Sequence, residues 1–251
     1  MRRYKKNTLI RLCIIVALAF IGHGCERRDI TLTADQLIAR GQQFNAEGKV
    51  DKAVESYRKA ILLRPDSSAL HFEFGVLLYA EYLKSYDKAQ MKLLADVIRR
   101  PNKDFSKNDI SKREGLLVRY GYRKEYYISA KEEFSETLKY NPSHWEARYY
   151  IAADLFKKQK YEQAIVEFNE LNQLKPDYAN NFTFLGEAYL NTGKYQLAIN
   201  TLEKASDMNP SAQHYYVLGL AYRKTGNWKK VYEMVGKLKE MNSDFHNDLF
   251  N

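Results

Sequence analysis

Apolar side chains along this chain recur at helical spacing (i, i+3, i+4, i+7), and the runs are interrupted at regular intervals by proline. The five prolines are Pro65, Pro101, Pro142, Pro176 and Pro210, spaced by 36, 41, 34 and 34 residues. Twelve residues before each stands an alanine: Ala53, Ala89, Ala130, Ala164 and Ala198. Pro lacks an N–H and clashes with the preceding turn, so each marks the end of a helix. Gly48, Gly193 and Gly226 stand midway between the helical runs, where a left-handed residue ends the first helix of a pair. The pattern predicts an all-α chain of antiparallel helix pairs. One such pair cannot bury its own apolar stripe, so neighbours must stack.

The repeated unit reads Leu37, Gly41, Phe44, Ala53, Tyr57, Ala60, Pro65 in its first copy. The fifth reads Phe182, Gly186, Tyr189, Ala198, Leu202, Ala205, Pro210, and the sixth reads Tyr215, Gly219, Tyr222, Val231, Val235, Leu238. These positions resemble the tetratricopeptide repeat pattern, over residues 34–245, with Val118 standing where the third copy should be small. The resemblance implies a right-handed superhelical solenoid of about six antiparallel helix pairs. Repeats one and two occupy 34–101 and repeats three to six 111–245. The second carries about two extra residues near Lys84-Ser85-Tyr86. Between 101 and 111 lies a polar stretch, NKDFSKNDI (102–110), read as an insert loop. Residues 246–251 form a tail, and the apolar pair Phe245 and Leu249 predicts the start of a capping helix after Ser243.

The first 33 residues have another character. Arg2, Arg3, Lys5, Lys6 and Arg11 precede the ten-residue apolar run Leu12 to Ile21. That run is half the length needed to span a bilayer, so 1–24 reads as a signal segment rather than an anchor. It ends in Gly22-His23-Gly24-Cys25, which resembles a bacterial lipoprotein signal in its Gly24-Cys25 step. Cleavage there makes Cys25 the acylated (palmitate-bearing) N-terminus, with 25–33 as a short tether. Cleavage after Ala17-Leu18-Ala19 would instead leave Cys25 a plain thiol. With Cys13 lost alongside the signal, the remaining chain holds one Cys and no internal disulfide. The resemblance implies a lipid-anchored, periplasm-facing protein of the bacterial cell envelope, and Glu26 after the Cys favours the outer membrane.

Charge adds little. Five of the nine net positive charges lie in the signal segment, and the remainder carries 35 basic against 31 acidic side chains. That mixture does not make a nucleic-acid footprint. Enzymatic constellations are equally thin. The histidines 23, 71, 144, 214 and 246 lack metal-site spacing, so neither metal nor cofactor is expected. Thr192-Gly193-Lys194 lacks the other residues of a phosphate loop. The acid pairs Glu132-Glu133 and Glu167/Glu170 read as solvated faces.

What remains is a surface. In the resembling family, five positions of each first helix line an inner groove. Carried over, they are Phe72 and Tyr79; Lys112, Arg119, Tyr122 and Arg123; Tyr149, Phe156 and Lys157; Asn180, Glu187 and Asn191; Tyr216, Arg223 and Lys224. Aromatics mixed with cations are the residue types that dominate peptide recognition. The family's chaperone-tail clamp needs Lys and Asn where this chain has Ile38 and Gln42, so that specificity is not expected. The expectation is a non-catalytic adaptor that holds a segment of an envelope protein. The roles implied are type IV pilus or secretin assembly, docking of cell-wall hydrolases, or outer-membrane protein assembly. An enzyme with an unrecognised site in the groove is the remaining alternative.

Overall fold

The computed structural model describes residues 32–99, 117–119 and 121–249, so the signal segment, Cys25, Lys112 and the 102–110 insert lie outside the described residues. The described residues are helical without a strand. They divide into two units, 1–65 and 66–251.

The first unit is one hairpin of α1 (Ala34–Ala46) and α2 (Val50–Leu63). Thr33 opens α1 with a reciprocal cap: its hydroxyl accepts the Gln36 N–H at 3.3 Å, and the Gln36 side chain accepts the Thr33 N–H at 2.9 Å. Gly48, at φ 71°, turns the chain, and α2 ends at Arg64 ahead of Pro65. A Cβ on Gly41 would lie 2.9 Å from the Tyr57 ring, so only glycine lets α1 approach α2 this closely. The two ends are tied by Arg64, whose guanidinium grips both Asp35 carboxylate oxygens at 2.7 and 2.5 Å.

The second unit opens on α3, which runs unbroken from Ser68 to Arg99. Here the structure departs from the expected second repeat. A turn was required between Leu78 and Ala89, yet Ala80-Glu81-Tyr82-Leu83-Lys84 holds no residue that favours a left-handed conformation, and the helix continues. Met91, which the repeat spacing places under Gly75, is 68% exposed. Gly75 is instead covered by Phe134 of α4 (Lys124–Tyr140), to which an added Cβ would come within 2.8 Å. In the first hairpin and in that of α7 and α8 the glycine and its covering residue are 16 apart, as Gly41–Tyr57 and Gly186–Leu202; here they are 59 apart. The first half of α3 and α4 thus form one hairpin, interrupted between its helices by the segment that the expected repeats two and three had shared. Where the chain returns, the Ser85 hydroxyl accepts the Arg123 N–H at 3.1 Å, and Tyr122 sits 5.8 Å from Tyr82 and 5.4 Å from Tyr86.

Regular hairpins follow: α5 (Trp145–Lys157) with α6 (Tyr161–Leu174), α7 (Ala179–Asn191) with α8 (Tyr195–Met208), and α9 (Ala212–Lys224) with α10 (Trp228–Glu240). Alanines at their crossings, Ala152, Ala164, Ala188, Ala198 and Ala221, have no exposed surface, and Phe168, Leu171, Leu202 and Leu238 fill the space around them. Gly193 and Gly226 turn the last two hairpins at φ 75° and 73°, and Gln159 takes the same conformation between α5 and α6 at φ 58°. The predicted cap is present as α11 (Phe245–Asp248): Leu249 is fully buried against Gly219, and Phe245 stacks on Tyr216 at 5.0 Å. Among the described residues no helix is long and apolar enough to cross a membrane.

Candidate functional site

The candidate surface lies on the first helices of the second unit: the start of α3, then α5, α7 and α9. Helix geometry sets which side chains share it. Residues four and seven places on from a given one stay on its face, so Phe72, Val76 and Tyr79 of α3 correspond to Tyr149, Ala153 and Phe156 of α5. On α7 the same places hold Thr183, Glu187 and Leu190, and on α9 Tyr216, Leu220 and Arg223.

The aromatic half is held by rings from successive hairpins. Phe72 lies 4.3 Å from the His144 ring and 6.0 Å from Phe134. Tyr79 meets the edge of Tyr150 at 5.2 Å, and Tyr150 stacks flat on Phe134 at 4.4 Å. Tyr149 stands edge-on to Tyr178 at 5.4 Å, and Phe156 to Phe184 at 5.5 Å. Each ring is partly buried, contributing to packing while leaving one edge to solvent. Burial raises the Tyr149 and Tyr79 phenol pKa values, against which nearby Lys157 acts in the opposite direction on Tyr79. Lys157 itself stands 6.0 Å over the Tyr82 ring.

The other half is polar. Glu187 Oε1 accepts a hydrogen bond from Gln213 Nε2 of α9 at 2.8 Å, and desolvation raises the carboxyl pKa above its ordinary value of 4.5. Asn191 donates its side-chain N–H to the Glu187 carbonyl at 2.8 Å. Asn180 and Lys224 are exposed.

Several expected groove residues are placed elsewhere. Tyr122 and Arg123 close the interruption between α3 and α4, with the Arg123 guanidinium over Tyr126 at 5.0 Å, and Arg119 lies on the short helical stretch 117–119. Tyr216 and Arg223 are on α9 as expected, but the tail engages both. Phe245 covers Tyr216, and Arg223 Nη1 donates to the Leu249 carbonyl at 2.8 Å.

Of the acid pairs, Glu132 and Glu170 are exposed, and three of the four carboxylates make ion contacts. Glu133 pairs at 2.6 Å with Nδ1 of buried His71, and Glu167 with Arg148 at 2.7 Å, where Glu170 also contacts the guanidinium. Tyr82, Tyr127 and Tyr150, absent from the sequence-derived groove, join the aromatic group. Tyr127 lies 4.9 Å from buried Tyr82. Their signal was weak, since the repeat pattern marks none of those places. Among the described residues no group of His, Cys, Asp and Glu is arranged to hold a metal ion.

Stacked hairpins with close-approach glycines and alanines, presenting a row of first-helix side chains, define a helical-repeat scaffold for protein–protein interaction. Family models agree: one described as a TPR repeat matches residues 41–81, and one described as a tetratricopeptide repeat matches 123–179 and 185–230. The chain belongs to the tetratricopeptide repeat family. The matches omit 82–122, the stretch that interrupts the α3–α4 hairpin. Residues of this chain are 28% identical over 79 positions to anaphase-promoting complex subunit 3 of Dictyostelium discoideum, a match covering 32% of this chain and 8% of that protein. In fold the chain is similar to MamA of Desulfovibrio magneticus RS-1, with TM-score 0.58 and 18% identity over 83% of this chain and 94% of that one. It is also similar to PilF of Pseudomonas aeruginosa, with TM-score 0.52 and 17% identity over 82% of this chain and 75% of that one.

Proposed function

We propose that the chain is a non-catalytic adaptor of the bacterial envelope, lipid-anchored through Cys25, whose first-helix surface holds a segment of another envelope protein. The observation that carries the reading is the aromatic row Phe72, Tyr79, Tyr149 and Phe156, partly buried by neighbouring hairpins yet shared by two consecutive first helices. Rings held by packing lose little entropy on binding, which suits them to anchor a polypeptide. The apolar run before Cys25 and the cations ahead of it support export and a periplasm-facing attachment, with Glu26 favouring the outer membrane.

Among envelope roles, type IV pilus or secretin assembly is the one favoured, because about six helix pairs on a lipid is the plan the family uses there. Proteins co-purified with the full chain from detergent-solubilised membranes test it. Pilus or secretin subunits, reduced in the Phe72→Ala/Tyr149→Ala variant, are the expected outcome. Recovery of cell-wall hydrolases points instead to docking of those enzymes, and capture unaffected by the double substitution removes the surface from the account.

A further inference from the structure

Glu187 is a partly buried acid of this surface with no opposite charge beside it among the described residues. Among the described residues no ammonium or guanidinium pairs with its carboxylate, which accepts from the neutral carboxamide of Gln213. Other acids on the first helices are provided for: Glu81 binds Lys84 at 2.6 Å, and Asp154 binds Lys158 at 2.9 Å. The equivalent places on α5 and α9 hold Ala153 and Leu220, and the neighbours along α7 are Asn180, Thr183, Leu190 and Asn191, none of them charged. A partly desolvated carboxylate with one neutral donor is an expensive arrangement. It retains acceptor positions for further donors, and a charged donor makes the shorter and stronger bond.

We infer that Glu187 sets the specificity of the groove by receiving a lysine or arginine side chain from an extended polypeptide segment whose aromatic or apolar residue rests on Tyr149. This rests on the groove reading above and adds the chemistry of the partner. Geometry also fixes a spacing. Glu187 is one first helix along from Tyr149, about 10 Å between packed axes, and one helical turn further on, about 6 Å. The separation of about 12 Å corresponds to three or four residues of extended chain. The occupant is therefore a segment with an aromatic or large apolar residue and a basic residue at that interval.

A randomised linear peptide library, selected on the full chain in detergent, provides the test. The wild-type chain is expected to enrich peptides with an aromatic and a Lys or Arg three or four residues apart. Glu187→Gln, checked for native helicity by circular dichroism, is expected to keep the aromatic preference and lose the basic one. It should also weaken a selected peptide at least about tenfold by fluorescence anisotropy, as loss of a charge-assisted bond does. Replacing the basic residue of that peptide by Gln should cost the wild-type chain the same factor and cost Glu187→Gln almost nothing. Enriched peptides without a basic residue, or affinity unchanged by Glu187→Gln, overturn this inference and leave the groove standing. Absence of any aromatic enrichment, with Tyr149→Ala behaving as wild type, overturns the groove and this inference together.

Discussion

At the scale of single residues, the repeat pattern was legible wherever a side chain's size or backbone freedom was the constraint. Gly41 and Gly186 are glycine because Tyr57 and Leu202 occupy the space a Cβ needs. Gln159 shows the same rule by exception. It holds the left-handed turn that glycine takes in the hairpins of Gly48, Gly193 and Gly226, at a cost of about 1 kcal/mol for a residue with a Cβ. Gln159→Gly should therefore raise stability by about 0.5–1 kcal/mol in urea denaturation. Loss of stability would show that Gln159 makes a compensating contact.

Glu187 supplies a pH-dependent counterpart. Burial raises its folded pKa above the ordinary 4.5, so the folded state prefers the protonated form. The corresponding stability is present in full below pH 4.5 and is lost as pH rises through the folded value. Stability measured between pH 4 and pH 7, with Glu187→Gln as reference, should fall in the wild-type chain relative to the variant. Parallel profiles would contradict the desolvation.

At the scale of elements, the departure at α3 has a local cause and a long-range consequence. The chain between Ala80 and Lys84 offers helix formers and no turn residue, so α3 extends to Arg99, and α4 fills the place beside Gly75. Five regular Ala–Pro intervals in the sequence concealed this, because Ala89 and Pro101 keep the period while the residues ahead of Ala89 do not turn. The pairing is testable. Gly75→Ala should cost about 1–3 kcal/mol by overpacking against Phe134. In a Phe134→Leu background most of that cost should vanish, since residues in contact are energetically coupled. Met91→Ala, at an exposed place, should change stability by less than about 0.5 kcal/mol and leave the Gly75→Ala cost intact. Coupling to Met91 in place of Phe134 would restore the uninterrupted second repeat.

For the whole molecule, family membership defines a scaffold, and the proposed envelope location rests on the first 25 residues. Mass analysis of the mature N-terminus should find a diacylated and N-acylated Cys25, and Cys25→Ser should release the chain from membranes, because a single residual apolar segment anchors poorly. A mature terminus at Phe20 or at Met1 would remove the lipid from the account. Partner capture belongs to the same scale, where loss of both Phe72 and Tyr149 rings should weaken it at least about tenfold while the helical circular dichroism signal persists.

Periodicity by itself determined the class of fold, the hairpins of α1–α2, α5–α6, α7–α8 and α9–α10, and the capping role of Phe245 and Leu249. Those features depend on residues close in sequence, and size, turn geometry and apolar spacing report them directly. Tertiary structure decided that α4 covers Gly75, that Tyr82, Tyr127 and Tyr150 join the aromatic surface, that the tail engages Tyr216 and Arg223, and that Glu187 meets Gln213 and, among the described residues, no cation. Each of these depends on a partner brought from a distant segment, and a local pattern carries no information about which distant side chain will arrive.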